Sequence, residues 1–286
     1  MSADLIYNGE FYPSNQPILS INNRSFRYGD GLFESIRVVN GEVYNFEAHF
    51  ARLIEGMKVF KIDIPDYFTI EYFNNQIKSL IQHNGIHTGG RAKLTIYRKG
   101  EVASYFSETN EPGFIIEAES FPFNEFVLSP EGIDIDVFNE ITKPLNKYAS
   151  FKTTNAFFYV SAIHAAKEKG LGDHLLINEK MNIIESTNSN FFIVSNGVLY
   201  TPPLSSGCVG GTMRMKVINL ALSNNIKVYE SSITAGHLLS CDEIILTNSI
   251  QGIKWVRSYK TKRFFHKMAD ELIHLLNEDT QAVIQS

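Results

Sequence analysis

The sequence predicts an α+β (α/β-type) chain with mixed sheets, divided into two domains. Three observations carry that expectation. Short apolar strands are joined by Asn8-Gly9, Asn40-Gly41 and Asn196-Gly197, dipeptides that supply the two positive φ values of a tight hairpin turn. Between the strands lie stretches with apolar residues at helical spacing. Finally, 286 residues are more than one ordinary domain needs, and Glu119 to Val127, with Pro122 between Phe121 and Phe123, reads as a linker. The expected domains are therefore 1–118, an α+β unit, and 128–286, with 119–127 between them.

Asp4–Tyr7 and Glu10–Tyr12 form the first expected hairpin, Ser35–Val39 and Glu42–Phe46 the second. Residues 47–60 place Phe50, Leu53, Ile54, Met57 and Phe60 on one helical face, which should cover the sheet. A helix from Tyr67 to Gln82, ended by Asn84-Gly85, precedes strands at 92–97 and 113–118. The second half opens with a strand at Ile133–Phe138 and a polar, lysine-bearing stretch from Asn139 to Lys152. A helix capped by Thr153, Thr154 or Asn155 and stopped at Gly170 follows. Strands at 175–177, 182–184, 191–194 and 198–200 come next, and the loop Gly207–Gly211 opens a helix bearing Met213, Val217, Leu220 and Ala221. Strands at 226–229 and 242–249 and a helix at 264–276 complete the chain.

Composition removes several classes of function. A formal charge of −5 gives no basic field for a phosphate backbone, so no nucleic-acid partner is expected. No run approaches the length of a membrane span, and the first twenty residues lack the pattern of a signal peptide, so the expected location is the cytoplasm, without a membrane partner. Cys208 and Cys241 stand far apart and read as reduced thiols. His83 and His87 flank a helix-breaking Asn84-Gly85, so no metal site is expected. No G-x-S-x-G elbow, Walker lysine or strand-following G-x-G-x-x-G is present.

What remains suits anion binding and aldehyde chemistry. Gly210-Gly211-Thr212 precedes a helix, where first-turn N–H groups converge on a point that a phosphate could occupy, although a plain helix start reads the same. Thr247-Asn248-Ser249-Ile250, just past an apolar strand, is a second seat or an ordinary turn. Arg52, three residues after His49, offers a bidentate fork or merely snorkels. Lys152 sits between Phe151 and an expected helix N-terminus, which disfavours its charge and would make it nucleophilic, unless it is one more solvated lysine. Glu185 ends a strand before the polar run Ser186–Asn190, which could hold its carboxylate in place of water.

Four segments, in order, resemble the class IV (fold type IV) pyridoxal-phosphate enzymes, which include branched-chain aminotransferases, D-amino acid aminotransferases and 4-amino-4-deoxychorismate lyases. Arg24 to Arg37 resembles R-x-x-x-Y-G-D-G-x-F-E-x-I-R, and His49 to Leu53 resembles H-x-x-R-L. Lys152 to Asn155 resembles K-x-x-N, while Asn182 to Phe192 with Tyr200 to Arg214 resembles the glutamate and phosphate-loop stretch. The resemblance implies two domains with the cofactor in the cleft between them, a homodimer, and a small-molecule substrate. It gives Lys152 as the catalytic amine that bonds to pyridoxal 5'-phosphate and shuttles the substrate Cα proton, and Glu185 as the partner of the pyridine nitrogen. The phosphate would lie among Arg52, Gly211, Thr212, Met213, Ser249 and Ile250, with Asn190 in the same cofactor site. Tyr28, Phe33, Lys93 and Asn248 are the implied substrate contacts.

Within the family the pattern leans one way. The tyrosine and arginine of branched-chain enzymes are absent from Arg91–Arg98, and Phe157 stands where those enzymes have a tyrosine. The arginine and histidine of D-amino acid enzymes are missing from Glu101–Tyr105. Lys93 with Arg98, Gly211–Arg214 and Thr247–Ser249 instead resemble the lyases. The first reading is a lyase that converts 4-amino-4-deoxychorismate to 4-aminobenzoate and pyruvate; the alternative is an aminotransferase passing an amino group to 2-oxoglutarate. A dicarboxylate substrate gives Lys93 a reason to point inward, where an aliphatic one would leave its charge desolvated. Two departures stand out: an arginine some lyases carry is missing near Ala103, and Trp255 replaces the usual proline.

Overall fold

The computed structural model describes residues 4–100 and 104–285, the last three by backbone alone. The chain forms two compact units, the first made of Met1–Glu125, Phe151–Ala156 and Val283–Ser286, the second of Phe126–Ser150 and Phe157–Ala282. The first contains β1 (Asp4–Tyr7), β2 (Glu10–Pro13), α1 (Arg24–Tyr28), β3 (Gly31–Val39), β4 (Glu42–Val43), α2 (Phe46–Phe60), α3 (Ile70–His83), β5 (Gly89–Arg98) and β6 (Pro112–Phe121). Its sheet runs β2-β1-β6-β5-β3-β4, with every neighbouring pair antiparallel. The Asn-Gly turns form as expected, with φ of 50° and 95° at Asn8 and Gly9 and of 51° and 74° at Asn40 and Gly41. Strand alternation sends Leu32, Ile36 and Val38 into a core with Leu53 and Met57 of α2 and Phe73, Ile77 and Leu80 of α3. Glu34 shares that inward face. Phe33 and Ser35 look the other way, beside their cross-strand partners Thr95 and Lys93.

The main break between the two units, Glu125/Phe126, falls within residues 119–127. β6 continues to Phe121, paired with Gly89, so a linker at 119–127 would begin inside a strand. The segment Phe151–Ala156 belongs to the first unit. The Phe33 amide donates to the Lys152 carbonyl at 2.9 Å, the Thr154 amide donates to the Gly31 carbonyl at 2.9 Å, and Leu32 and Thr153 form an antiparallel bridge.

The second unit contains β7 (Ile133–Lys143), α4 (Phe157–Glu168), β8 (Asp173–Asn178), β9 (Ile183–Ser186), β10 (Asn190–Ser195), β11 (Val198–Thr201), α5 (Thr212–Ser223), β12 (Val228–Glu230), α6 (Ala235–Ser240), β13 (Glu243–Asn248), β14 (Gly252–Tyr259), β15 (Lys262–Arg263) and α7 (Lys267–Gln285). The sheet runs β12-β11-β10-β13-β14-β7-β8-β9, with β15 against β14. It is mixed, because β11/β12, β14/β7 and β7/β8 are parallel and the remaining pairs antiparallel. β7 carries on past Phe138 to Lys143, which pairs with Asn178 after a register shift. α4 starts at Phe157, later than the expected caps. Trp255, on β14, is a packing residue: its indole N–H donates to the Ser129 carbonyl at 2.6 Å, and its ring lies 4.4 Å from that of His266. Among the described residues no helix is long and apolar enough to cross a membrane.

Candidate active site

Glu34 is the one acidic residue on the apolar face of β3, and α2 answers it. Arg52 Nε donates to Glu34 Oε1 at 2.8 Å, Arg52 Nη2 donates to Oε2, and His49 Nδ1 lies 2.6 Å from Oε2. His49 and Arg52 are three residues apart, hence on one helical face. Burial pushes the Glu34 carboxyl up, but the Arg52 charge and the hydrogen bonds from His49 and Arg52 outweigh it and hold the group at about 2. Burial pulls His49 below its ordinary value despite the Glu34 contact, so the ring is neutral and donates Nδ1–H to the carboxylate. The fork expected to meet a phosphate therefore has one edge committed to Glu34.

Lys152 is held by the Gly31–Phe33 stretch of β3 through its backbone. Its Nζ stands 4.6 Å from the centre of the Phe33 ring. With α4 beginning at Phe157, the expected influence of a helix N-terminus on this amine has no structural basis. Lys93 Nζ is 5.9 Å from the same ring, so two ammonium groups share one aromatic residue. Lys93 also pairs with Glu117 across the strands at 3.3 Å, and 38% of its side chain is exposed, so its charge is not desolvated as the sequence reading supposed.

Tyr28 ends α1, its ring centre 5.3 Å from that of Tyr105 with the planes inclined by 52°, and the Arg24 guanidinium lies over its ring. Arg24 anchors the neighbouring loop by donating to the Ser104 and Tyr105 carbonyls at 2.8 Å each. Arg98, weighed as part of a lyase pattern, is structural: it bonds to Asp30 at 3.1 Å and to the Phe60 and Lys61 carbonyls at 2.7 and 2.8 Å. Glu101, Val102 and Ala103 lie outside the described residues.

In the second unit Glu185 is 2% exposed. Its Oε1 accepts from Lys143 Nζ at 2.5 Å and from the Tyr159 hydroxyl at 2.9 Å, and its Oε2 accepts from the Val209 amide at 2.7 Å. Neither Lys143 nor Tyr159 stood out in the sequence; the closest signal was the lysine-bearing stretch that contains Lys143.

Asn190 pins the loop ahead of α5. Its amide donates to the Val209 carbonyl at 2.7 Å, and its Oδ1 occupies the space beside Gly211, 1.8 Å from where a Cβ would sit. It thus shapes the loop that leads into α5. α5 starts at Thr212 with Gly211 as its cap, which has no side chain to meet the first-turn N–H groups. Met213 contributes backbone there, its side chain being buried. Thr247 is the cross-strand partner of Asn190, so both side chains share a face, and its buried hydroxyl has no hydrogen-bond partner among the described residues. Asn248, expected at the substrate, closes its own turn: Oδ1 accepts from the Ile250 and Gln251 amides at 3.0 and 2.8 Å. Ser249 lies within that turn.

Residues 31–259 match the Amino-transferase class IV family. The D-alanine aminotransferase of Bacillus licheniformis is 26% identical over 247 residues, 86% of this chain and 84% of its own. The aminodeoxychorismate lyase of Vibrio harveyi is 27% identical over 239 residues, 83% of this chain and 86% of its own. The solved branched-chain aminotransferase of Thermoproteus uzoniensis with norvaline shares the fold, with a TM-score of 0.87 at 22% identity, covering 96% of this chain and 93% of that one. With a family match spanning residues 31–259, most of the chain, this chain belongs to the class IV aminotransferases, a family of pyridoxal-phosphate enzymes.

Proposed function

We propose that the chain is a lyase that splits 4-amino-4-deoxychorismate into 4-aminobenzoate and pyruvate, a step that supplies folate synthesis, and that it works as a cytoplasmic homodimer. The observation that carries this reading is the pair of ammonium groups, Lys93 and Lys152, on the single Phe33 ring. A substrate with two carboxylates has a use for a second cation beside the reactive amine. Phe26, Tyr105 and Phe106, 72%, 89% and 76% exposed near Tyr28, make an apolar patch of the kind a second copy covers.

The residues fit the family's cofactor. Thr247 keeps a buried hydroxyl without a partner on the face that Asn190 shares with Gly211, next to the start of α5, which suits a phosphate. Gly211, Thr212, Met213 and Ser249 would meet that phosphate together with Arg52. Pyridoxal phosphate, when bound, supplies an electron sink for negative charge at the substrate Cα. Lys152 would hold it covalently, and its amine, once freed, moves the proton at that Cα. Glu185 would hold the proton on the pyridine nitrogen. Phe33 and Tyr28 would flank the substrate, with Lys93 binding a carboxylate.

A second reading, aminotransfer to 2-oxoglutarate, is favoured by the Lys93–Glu117 pair, because an aliphatic substrate would leave that lysine still paired and partly hydrated. Purified protein given 4-amino-4-deoxychorismate without a keto acid should release 4-aminobenzoate and pyruvate over many turnovers. Conversion of leucine, valine or D-alanine with 2-oxoglutarate, with aminodeoxychorismate untouched, would establish the second reading instead.

A further inference from the structure

An ionised carboxylate has about four acceptor positions. At Glu185, Lys143 and Tyr159 fill both positions of Oε1, and the Val209 amide fills one of Oε2. A single position, on Oε2, is left. The groups around this carboxylate differ sharply in charge. Tyr159, from α4, is held well above the ordinary phenol range by burial and by Glu185, so it donates as a neutral hydroxyl. Cys208, from the loop before α5, is pushed up to about 12 by burial and by Glu185, so it is a neutral thiol. Arg214, on α5, is directed to the Pro202 carbonyl at 2.9 Å and to Glu230 at 3.2 Å. Lys143, from β7, is the cation bonded to Glu185 among the described residues. It is itself buried, fixed by the Ala149 carbonyl at 3.0 Å and lying over the Tyr159 ring at 5.4 Å.

We infer that Lys143 is a positioning residue for the cofactor: by saturating Oε1 and keeping the buried carboxylate charged, it leaves Oε2 as the acceptor that retains the proton on the pyridine nitrogen. The inference rests on the role given to Glu185 under the proposed function. It explains why a strand that could have ended at Phe138 runs on to a buried lysine. Without the ammonium, the carboxylate would have only neutral donors in a dry site, and burial would favour its protonated form. The ring nitrogen, facing a weaker acceptor, would then hold its own proton less tightly.

The test compares the holoenzyme with Lys143→Met, Lys143→Arg and Tyr159→Phe by titrating the absorbance of the bound cofactor with pH, alongside pyridoxal-phosphate affinity of each apo-protein. In Lys143→Met the transition assigned to the ring proton should move down by about 1–3 pH units, and kcat should fall about tenfold or more with KM little changed. Lys143→Arg should recover most of both, because it restores the charge. Tyr159→Phe, which removes the other Oε1 donor without stranding a charge, should give a smaller downward shift and serves as the deciding variant where Lys143→Met does not fold. A native titration in Lys143→Met, no shift in Tyr159→Phe where that variant decides, or equal shifts in the Met and Arg variants, which would mark a packing role, overturns the inference. Wild-type protein that carries pyridoxal phosphate on Lys152 while the Lys143 variants titrate normally overturns this inference alone; wild-type protein that takes up none overturns the proposed function as well.

Discussion

Arg52 and Glu34 form a two-point ion pair inside the first unit, with Nε donating to Oε1 at 2.8 Å and Nη2 to Oε2, and His49 completing the carboxylate's donors from the same helix face. Removing the arginine therefore does more than weaken an anion site. Arg52→Ala strands a buried carboxylate, which should cost about 3–5 kcal/mol of stability even without cofactor. Thermal unfolding of the apo-protein checks this; an apo-protein that melts like the wild type while losing cofactor affinity would show that the pair contributes little to the fold.

Acid should unfold the protein through the same cluster. Glu34 moves from its ordinary 4.5 to about 2 on folding, so its contribution is present above pH 4.5 and is lost as pH falls toward 2. That amounts to about 3 kcal/mol. His49 is also lowered by burial, so the unfolded chain takes up its proton first as pH drops through the ordinary 6.5. Both slopes have the same sign. Urea midpoints measured from pH 8 to pH 3 should fall slowly at first and then steeply; a flat profile contradicts the assignment.

Gly211→Ala should be expensive for a local reason. The new methyl would meet Asn190 Oδ1 and force the amide off the Val209 carbonyl. A destabilisation of about 1–3 kcal/mol is expected, with weaker cofactor binding. Asn190→Ala made in the same protein removes the obstacle, so the double variant should cost less than the sum of the singles. Strict additivity in a denaturation cycle would mean the two side chains do not meet.

Borohydride reduction of the purified protein followed by peptide mapping should place a pyridoxyl group on Lys152, and Lys152→Ala should abolish the adduct and the turnover together. An adduct on another lysine would move the reactive amine elsewhere.

Lys93→Ala should separate fold from reaction. The Lys93–Glu117 pair is largely solvated, so stability should change by about 0–1 kcal/mol. Turnover of aminodeoxychorismate should drop well beyond any loss of bound cofactor. Equal losses, or none, would remove Lys93 from the substrate contacts.

Local rules carried much of the architecture. Asn8-Gly9, Asn40-Gly41 and Asn196-Gly197 all take the positive φ values their turns need, and the apolar spacing of residues 47–60 gives α2 to within a residue. The failures are places where distant partners decide. β14 (Gly252–Tyr259) and α1 (Arg24–Tyr28) carry no clear periodicity; β14 owes its place to neighbours on both sides, and α1 to the Asn23 side chain accepting from the Ser25 and Phe26 amides. Lys152, Arg52 and Glu185 could be picked out by motif, but not their surroundings. Lys143 meets Glu185 only because β7 runs parallel to β8 and β8 antiparallel to β9, which pairs Lys143 with Asn178 and Leu176 with Glu185. No spacing along the chain encodes that. Likewise Arg98, Asn190 and Asn248 have side chains suited to ligands, and the fold uses them to hold loops and turns.

The return of Phe151–Ala156 to the first unit sets an order of events during synthesis. A nascent chain that has emerged only as far as Glu125 holds all six strands of the first sheet, yet the amide of Phe33 and the carbonyl of Gly31 still await the backbone of Lys152 and Thr154. With ribosomes adding about 5–20 residues per second, that wait lasts a few seconds. A premature stop within the interval releases a fragment with all six strands but without Lys152 and Thr154, the backbone partners of the Phe33 amide and the Gly31 carbonyl.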